Sequence, residues 1–79
     1  FGDPEFIIRG TVKNQQGYDE GYVLVTCTIY DTSGVKLGYS NDGLGALANG
    51  ELAKFEVEIP EHMIKGGFPE NFKWDCIAE

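Results

Sequence analysis

The sequence predicts an all-β domain, an immunoglobulin-like antiparallel sandwich of about five to six strands, and three observations point there. Apolar and polar residues alternate over five short segments, as they do in half-buried strands. The segments are separated by Gly-, Asn- and Asp-rich punctuation with no substantial helical period between them, which favours direct antiparallel return. One face of each segment is apolar, and five such faces need two packed layers to leave water.

Residues 6–14 read as the first strand, with Ile8, Gly10 and Val12 facing one way and Ile7, Arg9, Thr11 and Lys13 the other. The polar, glycine-bounded stretch from Asn14 to Gly21 is a loop. The second strand, 21–31, turns Val23, Val25, Cys27 and Ile29 inward and Leu24, Thr26, Thr28 and Tyr30 outward. In Asp31-Thr-Ser-Gly34 the Asp comes first and the Gly last, as a type I turn prefers, so this stretch closes a hairpin. The third strand follows at about 35–40, with Val35, Leu37 and Tyr39 alternating with Lys36, Gly38 and Ser40.

Residues 41–50 hold three glycines, which disfavour a helix; the expectation is a crossing loop pinned by Leu44 and Leu47. The fourth strand, 51–59, points Leu52, Phe55, Val57 and Ile59 inward and Lys54, Glu56 and Glu58 outward, with a bulge near Ala53 to adjust the phase. Pro60 ends that strand. With Gly66-Gly67 behind, it brackets one short helical turn at 61–65. The last strand, 71–78, sends Phe72, Trp74 and Cys76 to one face and Lys73 and Asp75 to the other.

At 79 residues the chain is one small domain, of a size that is marginal without reinforcement. It has 42% hydrophobic residues, ten aromatics and two cysteines with which to build a core. Asp3-Pro4-Glu5-Phe6 is what adjoining cloning sites commonly encode, so residues 1–6 are expected to be vector-derived. Residues 7–79 are then a single β-sandwich domain, a module of a larger protein. Six basic against thirteen acidic residues give a net charge of −7, which argues against nucleic-acid partners and anionic membrane surfaces. No apolar run approaches the roughly 18 residues of a membrane span, so direct membrane insertion is not expected.

At Gly10-Thr-Val-Lys-Asn14, Thr28-Ile-Tyr-Asp31, Gly34, Asn49-Gly-Glu51 and Phe55 the chain resembles the FxLYD-type domains, over roughly residues 7–59. These are small immunoglobulin-like modules of bacterial and archaeal envelope or secreted proteins. Cys27 stands where the pattern has Phe, Ile29 where it has Leu, and Asn49 where Pro is usual. The resemblance implies an extracytoplasmic, non-enzymatic accessory module with no general ligand.

Cys27 and Cys76 both point into the core by alternation, on strands that are neighbours in immunoglobulin-like order. Either they form a disulfide or they remain two buried free thiols acting as small hydrophobes. Redox catalysis is not expected, for there is no Cys-x-x-Cys spacing. His62, the one histidine, reads as an exposed loop residue. Asp19, Glu20, Asp31 and Asp42 are loop carboxylates, but no Asp-x-Asp-x-Asp-Gly run gathers them around calcium. No catalytic constellation, metal set or cofactor cradle can be written, so neither enzyme activity nor a cofactor is expected.

Tyr18, Tyr22, Leu24, Tyr30 and Phe68 are a candidate contact surface, since tyrosine-rich surfaces suit protein or carbohydrate partners. The leading expectation is a non-catalytic interaction or spacer module, working through protein–protein or interdomain contacts with other domains of the parent or an unknown protein. Unpaired strand edges also permit a weak edge-strand homodimer. The rival expectation is a carbohydrate- or calcium-binding module using loops 41–50 and 60–70.

Overall fold

The computed structural model describes residues 4–79. Five strands follow one another: β1 (Glu5–Lys13), β2 (Glu20–Tyr30), β3 (Lys36–Leu47), β4 (Leu52–Pro60) and β5 (Lys73–Ala78), with one 3₁₀ turn at Glu61–Met63. They form two antiparallel sheets, a two-stranded β1–β4 and a three-stranded β3–β2–β5. These pairings are those of strands B–E and C′–C–F in an immunoglobulin-like sandwich. Of the residues expected to be vector-derived, 1–3 lie outside the described residues, while Glu5 and Phe6 open β1 opposite Pro60 and Ile59.

Alternation on β1, β2 and β4 buries one face of each strand. Val23, Val25, Cys27 and Ile29 of β2 and Ile8, Val57 and Ile59 of β1 and β4 are buried, and Ile64 joins them. Phe6, Leu37, Leu44, Phe55, Phe68 and Phe72 pack around this cluster. Fully burying one such aliphatic side chain contributes roughly 1.5–3 kcal/mol, so this compact set is the main source of stability.

The Asp31 turn closes as expected. Gly34 N–H donates to the Asp31 carbonyl at 3.0 Å, and Asp31 Oδ1 accepts from both Ser33 and Val35 N–H at 2.9 Å.

Three expectations need correcting. Residues 41–47 are not a crossing loop: β3 runs on to Leu47, pairing with β2 down to Glu20. The glycines serve the strand. Val23 lies opposite Gly45 and Leu24 opposite Gly43, which leaves Leu44 as an extra residue in a bulge. Gly45 takes the positive φ of 71° that such a bulge uses.

The phase of β3 is also inverted at its start. A second bulge between Ile29 and Tyr30 inserts Leu37, after which Gly38, Ser40 and Asp42 lie opposite Ile29, Cys27 and Val25 on the inner face. Tyr39 therefore faces out. Gly38 is where the 3₁₀ segment comes down on β3, since a Cβ there would collide with the Met63 carbonyl oxygen. Lys65 N–H donates to the Leu37 carbonyl at 2.9 Å and holds that segment in place.

Finally, β4 has no bulge. Its register with β1 is unbroken from Lys13↔Leu52 to Glu5↔Pro60, which puts Ala53 inside and Leu52 outside, 65% exposed. The two sheets are joined on the β3/β4 side, where Glu56 N–H donates to Asp42 Oδ2 at 3.0 Å.

Candidate functional site

The outer face of the three-stranded sheet gathers most of the residues that could meet a partner. Tyr22, Leu24, Thr26, Thr28 and Tyr30 of β2 share this face. Their cross-strand neighbours are Gly43, Asn41, Tyr39 and Lys36 on β3, and Ile77, Asp75 and Lys73 on β5. Tyr22, Tyr39 and Ile77 are 60%, 47% and 57% exposed, while Leu24 and Tyr30 are half-buried. The Tyr22 hydroxyl lies over Gly43, where no side chain competes for the space. Lys36 Nζ sits 4.5 Å above the centre of the Tyr39 ring, and Tyr30 Oη reaches Asp75 Oδ1 at 3.4 Å. These two contacts hold their aromatic rings against the sheet.

Of the five residues expected to form a contact surface, the structure brings together Tyr22, Leu24 and Tyr30. Tyr18 is exposed in the loop before β2. Phe68 packs on the core cluster and against Phe72, ring centres 5.7 Å apart. Tyr39 and Ile77 complete the face and were missed. Ile77 shares the parity of Lys73 and Asp75 and was findable from alternation alone. Tyr39 was hidden by the bulge at Leu37.

The carboxylates considered for calcium are dispersed. Asp19 Oδ1 accepts from Asn49 N–H at 2.7 Å, Asp31 caps its own turn, and Asp42 bridges to β4. Among the described residues no group of three or more His, Cys, Asp or Glu is placed to hold a metal ion. His62 is exposed on the 3₁₀ turn. A shallow depression of about 100 Å³ lies between Val12, Gln16, Val23, Leu47 and Ala78. Small-molecule sites usually enclose about 300–1,000 Å³.

Cys27 and Cys76 are bonded to each other, across the directly opposed pair of β2 and β5. Leu24 and Glu79 exchange both backbone hydrogen bonds, at 2.8 and 2.9 Å. The antiparallel ladder then alternates, so Cys27/Cys76 is a non-hydrogen-bonded pair, the kind whose Cα atoms approach closest. Their Cα separation is 4.0 Å. Among the described residues no helix is long and apolar enough to cross a membrane. Comparison with family models, curated proteins and solved structures finds no match for this chain.

Proposed function

We propose that this domain is a non-catalytic contact or spacer module of an envelope or secreted protein, acting through protein–protein or interdomain contacts. The observation that carries the reading is the outer face of β3–β2–β5. Tyr22, Tyr39 and Ile77 stand exposed there beside half-buried Leu24 and Tyr30 on a paired sheet, with Lys36, Lys73 and Asp75 toward one end. Tyrosines of this kind give large contact area at low entropic cost and are enriched at protein interfaces. The Cys27–Cys76 bond supports an oxidising, extracytoplasmic setting, where such bonds persist. The resemblance to FxLYD-type modules supports the same setting and the absence of catalysis.

Oxidative footprinting tests the reading, comparing the protein in its producing cells with the purified domain. Tyr22 and Tyr39 are expected to be labelled less in cells, while Leu52, exposed on the opposite sheet, is labelled equally in both. Equal labelling of the tyrosines contradicts the contact face. Saturable amide shifts around 41–50 and 60–70 on adding calcium or cell-wall oligosaccharides would replace the reading with a ligand-binding module.

A further inference from the structure

The larger sheet ends in β3 and β5, and while β3 runs beside β4, with Glu56 N–H on Asp42 Oδ2, the edge of β5 has no such neighbour. Among the described residues no strand lies along the far side of β5. The smaller sheet has two strands against three and is joined at the β3/β4 side, so the inner face of β5 overhangs it. Trp74 shows the consequence. It lies opposite buried Ile29 on the inner face, yet it is 49% exposed, touched from below by Phe6 with ring centres 6.0 Å apart. The free edge of β1 offers no equivalent, since its inward Ile8 is already buried.

The hydrogen-bond alternation fixes what this edge presents. Because Glu79 bonds Leu24 through both backbone groups, residues 77, 75 and 73 also turn theirs toward β2. Trp74, Cys76 and Ala78 turn their N–H and C=O groups outward, available to another strand.

We propose that β5 pairs antiparallel with β5 of a second copy of this chain, with Cys76 opposite the partner's Cys76. The proposal rests on reading the domain as a contact module. In this register the outward hydrogen-bonding groups meet their counterparts: Trp74 faces the partner's Ala78, and Cys76 faces its own equivalent. On the outer face Lys73 stands opposite the partner's Glu79, twice by symmetry, and Asp75 opposite the partner's Ile77. The small Ala78 leaves room for the half-exposed indole.

Other registers fail on charge, parity or length. A shift of two residues puts Asp75 opposite either the partner's Asp75 or the partner's Glu79, and like charges directly opposite destabilise a ladder. A shift of one sets inner residues against outer ones. The pairing around Trp74 keeps only Lys73–Asp75 of the strand in the ladder. The result is a six-stranded sheet with a small interface, weak by its size and opposed by the −7 charge on each copy.

Sedimentation of the purified domain from about 10 μM to about 1 mM tests this, a range that spans weak association. The average mass is expected to rise from 8.7 kDa toward twice that, with Trp74 emission moving to shorter wavelength as the indole is covered. Lys73→Glu and Glu79→Lys are each expected to stay monomeric, because each sets like charges opposite one another at both symmetric positions. Their equimolar mixture is expected to regain association, the introduced glutamate facing the introduced lysine. A wild type that stays at monomer mass, charge variants that associate like wild type, or a mixture that stays monomeric overturns the pairing. A monomer overturns the pairing and leaves the contact-module reading standing, since the outer face can still meet another partner.

Discussion

Asn14 holds more of this fold together than its place in a polar loop suggests. It is buried, and its Nδ2 donates to the carbonyls of Tyr18 at 2.8 Å and Leu47 at 3.0 Å, while its Oδ1 accepts from Gln16 N–H at 3.0 Å. Its backbone joins the turn before β4 through Glu51 and Gly50. One side chain thus ties the end of β1, the loop before β2 and the end of β3. A buried polar group left without its partner costs about 1–3 kcal/mol, and Asn14→Ala leaves several. The expected loss is about 2–4 kcal/mol in a urea unfolding curve. Asn14→Asp is expected to be at least as damaging, since a carboxylate presents oxygen to both carbonyls. A loss under 0.5 kcal/mol, which is ordinary for surface substitutions, would show that this network does not hold the loop. Gly38 is the second such position. Gly38→Ala is expected to lose about 2 kcal/mol, typical of overpacking, because the Met63 carbonyl must move. A Leu37–Lys65 hydrogen bond still protected from exchange in that variant would contradict this.

At the scale of elements, β1, β2, β4 and β5 were legible because nothing interrupts their two-residue period through the core. β3 was not. Its two bulges, at Leu37 and Leu44, each add a residue to one strand of the pair, and an extra residue inverts every later side chain without altering composition. The glycines that signalled a loop at 43 and 45 mark one of these bulges. Tyr39 was lost from the contact face for the same reason, whereas Leu24 and Tyr30 keep the two-residue period of β2, and Tyr22 stands beside a register shift between Glu20 and Val23. Leu52 is apolar and opens β4, which reads as inward, but it pairs with Lys13 on the outer face. Gly45→Ala should therefore weaken the domain by about 1 kcal/mol, since a side chain at that φ meets its own backbone. Ala46→Gly, on the exposed side of the same strand, changes little beyond propensity. Equal melting points for Gly45→Ala and wild type would argue that the bulge relaxes to another register.

Seen as a whole, the motif residues that carry the family resemblance serve the architecture. Gly10 lies under the Phe55 ring, Asn14 ties three segments, Asp31 caps its turn, and Glu51 Oε1 accepts from Ala48 N–H at 2.8 Å. Of the motif residues Thr28 and Tyr30 face outward, and the others named here are spent on turns and packing, which is why fold was readable where partner was not. The whole is a two-over-three sandwich whose larger sheet is stitched across β2 and β5 by a bond linking residues 49 apart. In the chain-entropy description a link of that span is worth about 4 kcal/mol, a large part of the stability of a domain this small. Intact mass settles the matter, after equilibration in a defined glutathione buffer and alkylation in denaturant with and without reductant. The fold described here predicts two blocked thiols only after reduction. Two thiols alkylated without reductant would contradict it and would remove the structural support for an oxidising compartment.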